Sequence, residues 1–174
     1  MILVSIGVDP GYRACGLGVI RRGRDQRWYA HHVQTIRTNP SATFHQRLHA
    51  IYAGLKRIPR SVFEGIKVEE VVFACEDQTG AHEGKRREGK TSSDALLVQQ
   101  VVGLARAVAI DEGFRFVEPT PAQVKAVLPG ITQRADKAQV KRAVRAVVQG
   151  CPKIMSEHAS DSLGTALAGA RMVL

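Results

Sequence analysis

Apolar positions fall into two rhythms along this chain, one suited to strands and one to helices. Residues 2–8 are an apolar run rich in β-branched side chains, the pattern of a buried strand. Asp9-Pro10-Gly11 stops it, and a second apolar run with two glycines follows over 15–21. Gly23–Asp25 marks a turn, and residues 28–38 read as a third strand, giving an antiparallel β1-β2-β3 meander. Asn39-Pro40 breaks that strand, and Ser41 is the expected cap of a helix whose Phe44, Leu48, Ile51, Tyr52 and Leu55 recur at helical spacing. Residues 68–74 are again apolar and β-branched, and they too end in acid, Glu76-Asp77.

The second half is mostly helical in rhythm. Ser93 or Asp94 is placed to cap a long helix through 109, and residues 114–117 form a short strand. Thr120 precedes Pro121, a cap followed by proline at the first helical position, and the helix they start should end near Pro129-Gly130. Residues 136–149 have the pattern of a basic amphipathic helix, and Ser156 caps a last helix to about 172. The order β-β-β-α-β-α-β-α-α-α predicts an α/β layered domain with a five-stranded mixed sheet flanked by helices, residues 1–174 being one domain.

Composition narrows the class. The chain of 174 residues is 44% apolar and 24% charged, an ordinary balance for a domain with a real core. No apolar stretch is long enough to span a bilayer, and MILVSIGVDPG lacks the basic region and small-residue cleavage site of a signal peptide. Cys15, Cys75 and Cys151 are odd in number and scattered, which fits reduced thiols packed in the core of a cytoplasmic protein. A net charge of +9 favours a polyanionic partner. The charge is clustered: Lys85, Arg86, Arg87 and Lys90 crowd a Gly-rich stretch over 80–90, and Lys137, Lys141, Arg142 and Arg145 share helical spacing.

The acids carry the chemistry. Asp9 and Glu76 end two central strands, and ligands of open α/β sheets bind outside such strand ends. The last helix adds Glu157, His158 and Asp161, with His158 and Asp161 three apart on one face. If that helix docks beside the first strand, Asp9, Glu76, His158 and Asp161 converge. Like carboxylates held together repel unless a cation neutralises them, and oxygen-rich sites suit Mg²⁺ or Mn²⁺. Two such ions can hold the attacking water and the leaving oxygen of an in-line phosphodiester displacement. Each acid also has a plainer reading: Asp-Pro-Gly is a common turn, Asp77 is an alternative ligand to Glu76, and Asp161 suits a helix first turn.

The pattern resembles the RuvC-type Holliday-junction resolvases, on the ribonuclease H-like fold. IGVDPGYRACGLGVI is similar to that family's first strand and turn, IRTNPSATFHQRLHAIYAGL to its next helix, and VVFACEDQ to its second acidic strand. PAQVKAVLPGITQRADKAQVKRAVRAVV is similar to its lysine-bearing region and HASDSLGTALAGA to its final acidic helix. The resemblance implies that Asp9, Glu76 and Asp161 are metal-ligating catalytic carboxylates. His158 stands where many members have Asp and some have His. The resemblance puts Lys125 and Lys137 near DNA, with two Mg²⁺ or Mn²⁺ ions per site. It also implies a homodimer on four-way DNA, with the dimer contact on the helix at about 93–109. Lys141 and the basic 85–90 cluster are further expected DNA contacts. The stretch after Glu76 lacks the aromatic residue that many members carry there. Rival readings are a branched-DNA binding module that does not cut and an RNA-processing nuclease of the same fold.

Overall fold

The structure is a computed structural model that describes residues 3–77 and 92–173. Strands β1 (Val4–Asp9), β2 (Ala14–Arg22) and β3 (Trp28–Arg37) form the expected antiparallel meander. Helix α1 (Phe44–Leu55) leads through two 3-10 turns to β4 (Val71–Cys75), which pairs in parallel with β1. Helix α2 (Ser92–Asp111), β5 (Arg115–Val117), α3 (Pro121–Ala126) and α4 (Lys137–Val147) follow. Strand β6 (Val148–Gln149) and helix α5 (Glu157–Met172) complete the described chain. The sheet order is β5-β4-β1-β2-β3-β6.

Several expectations need correction. The sheet has six strands, because Val148 and Gln149 leave the end of the basic helix and pair in parallel with Trp28 and Tyr29. A two-residue strand carries too little pattern to be separated from the helix before it. The cap of α1 is Thr43, whose hydroxyl accepts from Gln46 N while Gln46 bonds back to Thr43 N, a reciprocal box that Ser41 lacks. Val68–Glu70 is a 3-10 turn, so β4 begins three residues later than its apolar run. Helix α3 stops at Ala126, short of Pro129-Gly130. The caps Thr120 and Ser156 are as expected, and Asp136, read as the first residue of the basic helix, is its cap, accepting from Gln139 N.

Strand parity builds two unlike faces. On β1, Val4, Ile6 and Val8 point one way, and with Leu17, Val19, Phe73 and Val101 they form the core beneath α1 and α2. Ser5, Gly7 and Asp9 have the opposite parity, and so do Gly16 and Gly18 on β2 and Ala74 on β4. That second face is flat around these small residues, with Ile20 and Val72 beside Ser5, and α5 lies on it. A Cβ on Gly7 would sit 2.0 Å from the Ser162 carbonyl oxygen, and one on Gly16 would sit 2.0 Å from that of His158. Helix and sheet therefore meet backbone to backbone. Ser5 Oγ seals the contact by donating to the Ala166 carbonyl at 2.6 Å.

Helix α5 is consequently buried almost all round from Ala159 to Ala170. Its apolar side chains Leu163, Ala166 and Leu167 pack with Val140, Val144 and Leu128 of the outer helical layer. Two of its buried hydroxyls are satisfied within the helix, Ser162 Oγ donating to the Ala159 carbonyl and Thr165 Oγ1 to that of Asp161, whereas the buried Ser160 Oγ has no hydrogen-bond partner among the described residues. Cys15 and Cys75 are buried in the sheet and Cys151 is half-buried, and burial pushes the Cys15 thiol up to about 12. Among the described residues no helix is long and apolar enough to cross a membrane.

Because the Gly7 contact is backbone on both sides, a side chain there cannot be absorbed by a rotamer change. Gly7→Ala should destabilise the fold by at least about 2–3 kcal/mol, read as a lower urea midpoint. An unchanged midpoint would mean that α5 does not sit on β1 as described.

Candidate active site

The site is a consequence of the same parity. Asp9 closes β1 on the face that carries α5, and its side chain is largely buried. In the parallel pair β1–β4, Val8 stands beside Cys75, and Glu76 N extends the ladder by donating to the Val8 carbonyl at 3.1 Å. Glu76 thus follows Cys75 on the strand next to Asp9, with the parity of Ala74. The neighbouring Asp77 N is held by the Pro119 carbonyl at 2.9 Å, which fixes the strand exit against the lead-in to α3.

Helix α5 brings the rest. Ser156 caps it through Ala159 N, and the Ser156 hydroxyl also meets Thr35 Oγ1 at 2.5 Å, so the first turn is tied to β3. His158 then falls directly beside Asp9. Its Nδ1 lies 2.7 Å from Asp9 Oδ2, with the ring nitrogen donating to the carboxylate. That hydrogen bond holds the imidazole pKa above its ordinary 6.5, against the opposing effect of partial burial.

Asp161 lies one turn further into the protein. Burial raises its carboxyl pKa, and the nearby Asp9 charge raises it further. Lys137, the first residue of α4, offsets this from across the cleft. Its Nζ is 3.5 Å from Asp161 Oδ2 and 3.1 Å from Glu157 Oε2. Partial burial works against the ammonium charge, but the Glu157 and Asp161 contacts prevail and its pKa is raised. Glu76, Lys125, Lys137 and Asp161 line one cavity of about 180 Å³.

The four residues expected to converge therefore gather at one end of the sheet in two adjoining subsets. Asp9 is joined to His158, while Glu76 and Asp161 share the cavity with Lys137. Among the described residues no three His, Cys, Asp or Glu side chains are drawn together tightly enough to hold a metal ion. The donor chemistry nevertheless fits a hard divalent cation: three carboxylates and one imidazole, with Lys137 supplying positive charge beside them.

The other lysines have specific places. Lys125 Nζ donates to the Gln133 carbonyl at 2.7 Å and to that of Ala135 at 3.3 Å, so it shapes the segment that delivers Lys137. Lys141 donates to the Met155 carbonyl and is turned to the loop before α5, not to the carboxylates. Lys85, Arg86, Arg87 and Lys90 lie outside the described residues. Sequence reasoning missed Thr35, which pins the first turn of α5, and Glu157 as the second partner of Lys137. Nothing local marks Thr35. The run of Ser5, Gly7, Gly16 and Gly18 on one strand parity was the legible signal for where α5 docks.

Comparison with known proteins identifies the family. The model of the family described as crossover junction endodeoxyribonuclease RuvC matches residues 5–169, a span that includes every acid of the site. The crossover junction endodeoxyribonuclease RuvC of Bifidobacterium longum subsp. infantis is 31% identical over 166 residues, covering 95% of this chain and 77% of the relative. That of Citrifermentans bemidjiense is also 31% identical, covering 95% of this chain and 90% of the relative. Among solved structures, Thermus thermophilus RuvC in complex with a Holliday junction substrate superimposes with a TM-score of 0.75 at 26% identity, covering 98% of this chain and 94% of that one. The yeast mitochondrial Holliday junction resolvase Ydc2 shares the fold at a TM-score of 0.57 and 9% identity, over 95% of this chain and 77% of that one. From the strand-end aspartate to the helix that carries His158 and Asp161, the chain belongs to the crossover junction endodeoxyribonuclease RuvC family.

Proposed function

We propose that this chain is a structure-selective DNA endonuclease that nicks four-way junctions by hydrolysis assisted by two Mg²⁺ or Mn²⁺ ions. The observation that carries the reading is the meeting of Asp9, His158 and Asp161 beside the β4 exit at Glu76, on strand ends that packing holds rigid. Family membership and the net charge of +9 support DNA as substrate.

Asp9, Glu76, His158 and Asp161 are the residues that would hold the ions. When bound, such ions lower the pKa of an attacking water and stabilise the leaving oxygen of the phosphodiester. The chain's own groups perform the remaining tasks. Lys137 can exchange its Glu157 and Asp161 partners for a phosphate oxygen, neutralising charge as it develops. Imidazolium cannot ligate, so His158 can act as a ligand only in its neutral form, whose Nε2 lies outside the Nδ1 hydrogen bond to Asp9. The β1 and β4 backbones keep the carboxylates in place, so little reorganisation is needed at the moment of reaction.

A homodimer is part of the proposal. On α2 the outward positions Leu96, Gln100, Gly103, Ala107 and Ile110 recur at alternating intervals of four and three, the spacing of a helix-pairing seam. Leu96 is 63% and Ile110 70% exposed, and a Cβ on Gly103 would meet nothing, so the stripe is open for a second copy of α2.

Three outcomes check this reading. Asp9→Asn should lower junction cleavage by about a thousandfold or more, the equivalent of several kcal/mol in the transition state, while leaving junction binding in place. Glu76→Gln and Asp161→Asn should do the same. Assays on a four-way junction, a Y-fork and linear duplex with each metal would read this, and near-normal cutting by the Asp9 variant would remove it from the site.

The second outcome concerns pH. Because the folded pKa of His158 is raised, its pair with Asp9 stabilises the metal-free fold fully below 6.5, and that stabilisation is lost as pH rises through the raised value. Cleavage has the opposite sign. It should fall as pH drops and His158 takes up a proton, and in His158→Asp this acidic limb should move to lower pH. Superimposable pH–rate profiles for the two proteins would take His158 out of the ligand set.

The third concerns assembly. The parent protein should sediment as a dimer at micromolar concentration, and Ala107→Glu should shift it to a monomer by burying charge in the seam. A variant that stays dimeric would place the contact elsewhere.

A further inference from the structure

The short connection between β6 and α5 is held from three points. Arg145 Nη2 on α4 donates to the carbonyls of Pro152 at 2.7 Å and Lys153 at 2.8 Å. Lys141, one turn earlier on the same helix, donates to the Met155 carbonyl. The Met155 side chain is buried in the outer core with Leu128 and Val144. Between these anchors Ile154 stands out into solvent, 95% exposed, the highest value for a large hydrophobic residue among those described. Its neighbours Pro152 and Lys153 are exposed as well.

One exposed isoleucine on a protein surface usually needs no explanation. This one is different in how it is presented. A slack loop would let the side chain fold back onto apolar surface, whereas the hydrogen bonds from Arg145 and Lys141 fix the backbone on both sides of it. Two residues later Ser156 begins α5, and His158 follows two after that. Chain length alone keeps Ile154 within about 14 Å of His158. A rigid apolar knob beside a lysine thus stands within that reach of the carboxylate site.

We propose that Ile154 is an apolar wedge that packs against an unstacked base next to the phosphate being cut, with Lys153 on an adjoining phosphate. The inference rests on the nuclease reading above and names a residue that reads the branched state of its substrate. Apolar side chains such as isoleucine insert between base steps where stacking is already weak, and packing of the base on the inserted side chain offsets the cost of unstacking. Bases at a branch point meet that condition and those of continuous duplex do not. Lys153 and the charge of +9 favour DNA over an apolar protein partner.

The test uses the full chain and a four-way junction carrying 2-aminopurine at the positions flanking the crossover. Binding by the parent protein should raise the fluorescence as the base unstacks. Ile154→Ala should still bind the junction, but the rise should be largely lost and cleavage should be roughly tenfold slower. Ile154→Leu should retain both signals, and affinity for linear duplex should be equal in all three. Since the side chain packs on nothing, thermal midpoints should agree among them. Parent and Ile154→Ala proteins with equal fluorescence and equal cleavage would overturn the wedge and leave the nuclease reading standing. An Ile154→Ala protein that cuts the junction normally but loses a protein partner would overturn it in favour of a protein-docking role. A parent protein that neither binds nor cuts the junction would overturn the nuclease reading and the wedge with it.

Discussion

The backbone contact between α5 and the β1–β2 pair is the constraint on which the rest depends. A helix normally stands off a sheet by the depth of its side chains. Here Gly7 and Gly16 remove that depth, and the Ser162 and His158 carbonyls occupy the places where Cβ atoms would otherwise be. The close approach puts the first turns of α5 at the level of Asp9, close enough for the 2.7 Å hydrogen bond to His158. With larger residues at these strand positions the helix would be held away from the sheet, and Asp9 and His158 would be separated. The small residues are therefore part of the site although none has a chemical role.

The same closeness creates an electrostatic problem. Asp9 and Asp161 are like charges in a partly desolvated cleft, and burial together with the Asp9 charge pushes the Asp161 pKa up. Two partners answer it from opposite sides. His158 shares a proton with Asp9, and Lys137 bridges Asp161 and Glu157 from α4. Both partners are partly exposed and can be displaced, unlike the strands beneath them. A rigid negative frame with exchangeable partners is a suitable receptor for divalent ions and a phosphodiester, because neither has to break the fold to enter.

The lysine-rich region then divides its labour. Lys137 faces the acids, Lys125 holds the segment that delivers it, and Lys141 with Arg145 clamps the loop that leads into α5. A run of cations at helical spacing reads in a sequence as one basic face. In the folded protein only some of its members are free to meet an anion, since others donate to backbone carbonyls that would be costly to leave unpaired.

The chain's one-dimensional pattern determined the meander, the helix caps at Thr120 and Ser156, and the placing of Asp9 and Glu76 at strand ends. Each depends on near neighbours: alternation of side chains, a cap three residues from its partner, an acid after an apolar run. It also carried the family resemblance, because the acids and lysines keep their order and context over most of the chain. Tertiary structure alone decided three matters. Pairing of Val148 and Gln149 with β3 made a sixth strand, since edge pairing depends on what lies beside a segment and not on what it contains. Contact between α5 and the glycine face set which acids meet, because that requires residues about 150 positions apart to share one surface. Competition for hydrogen-bond partners sorted the lysines, a choice that exists only once the carbonyls of Gln133, Ala135 and Met155 are in reach.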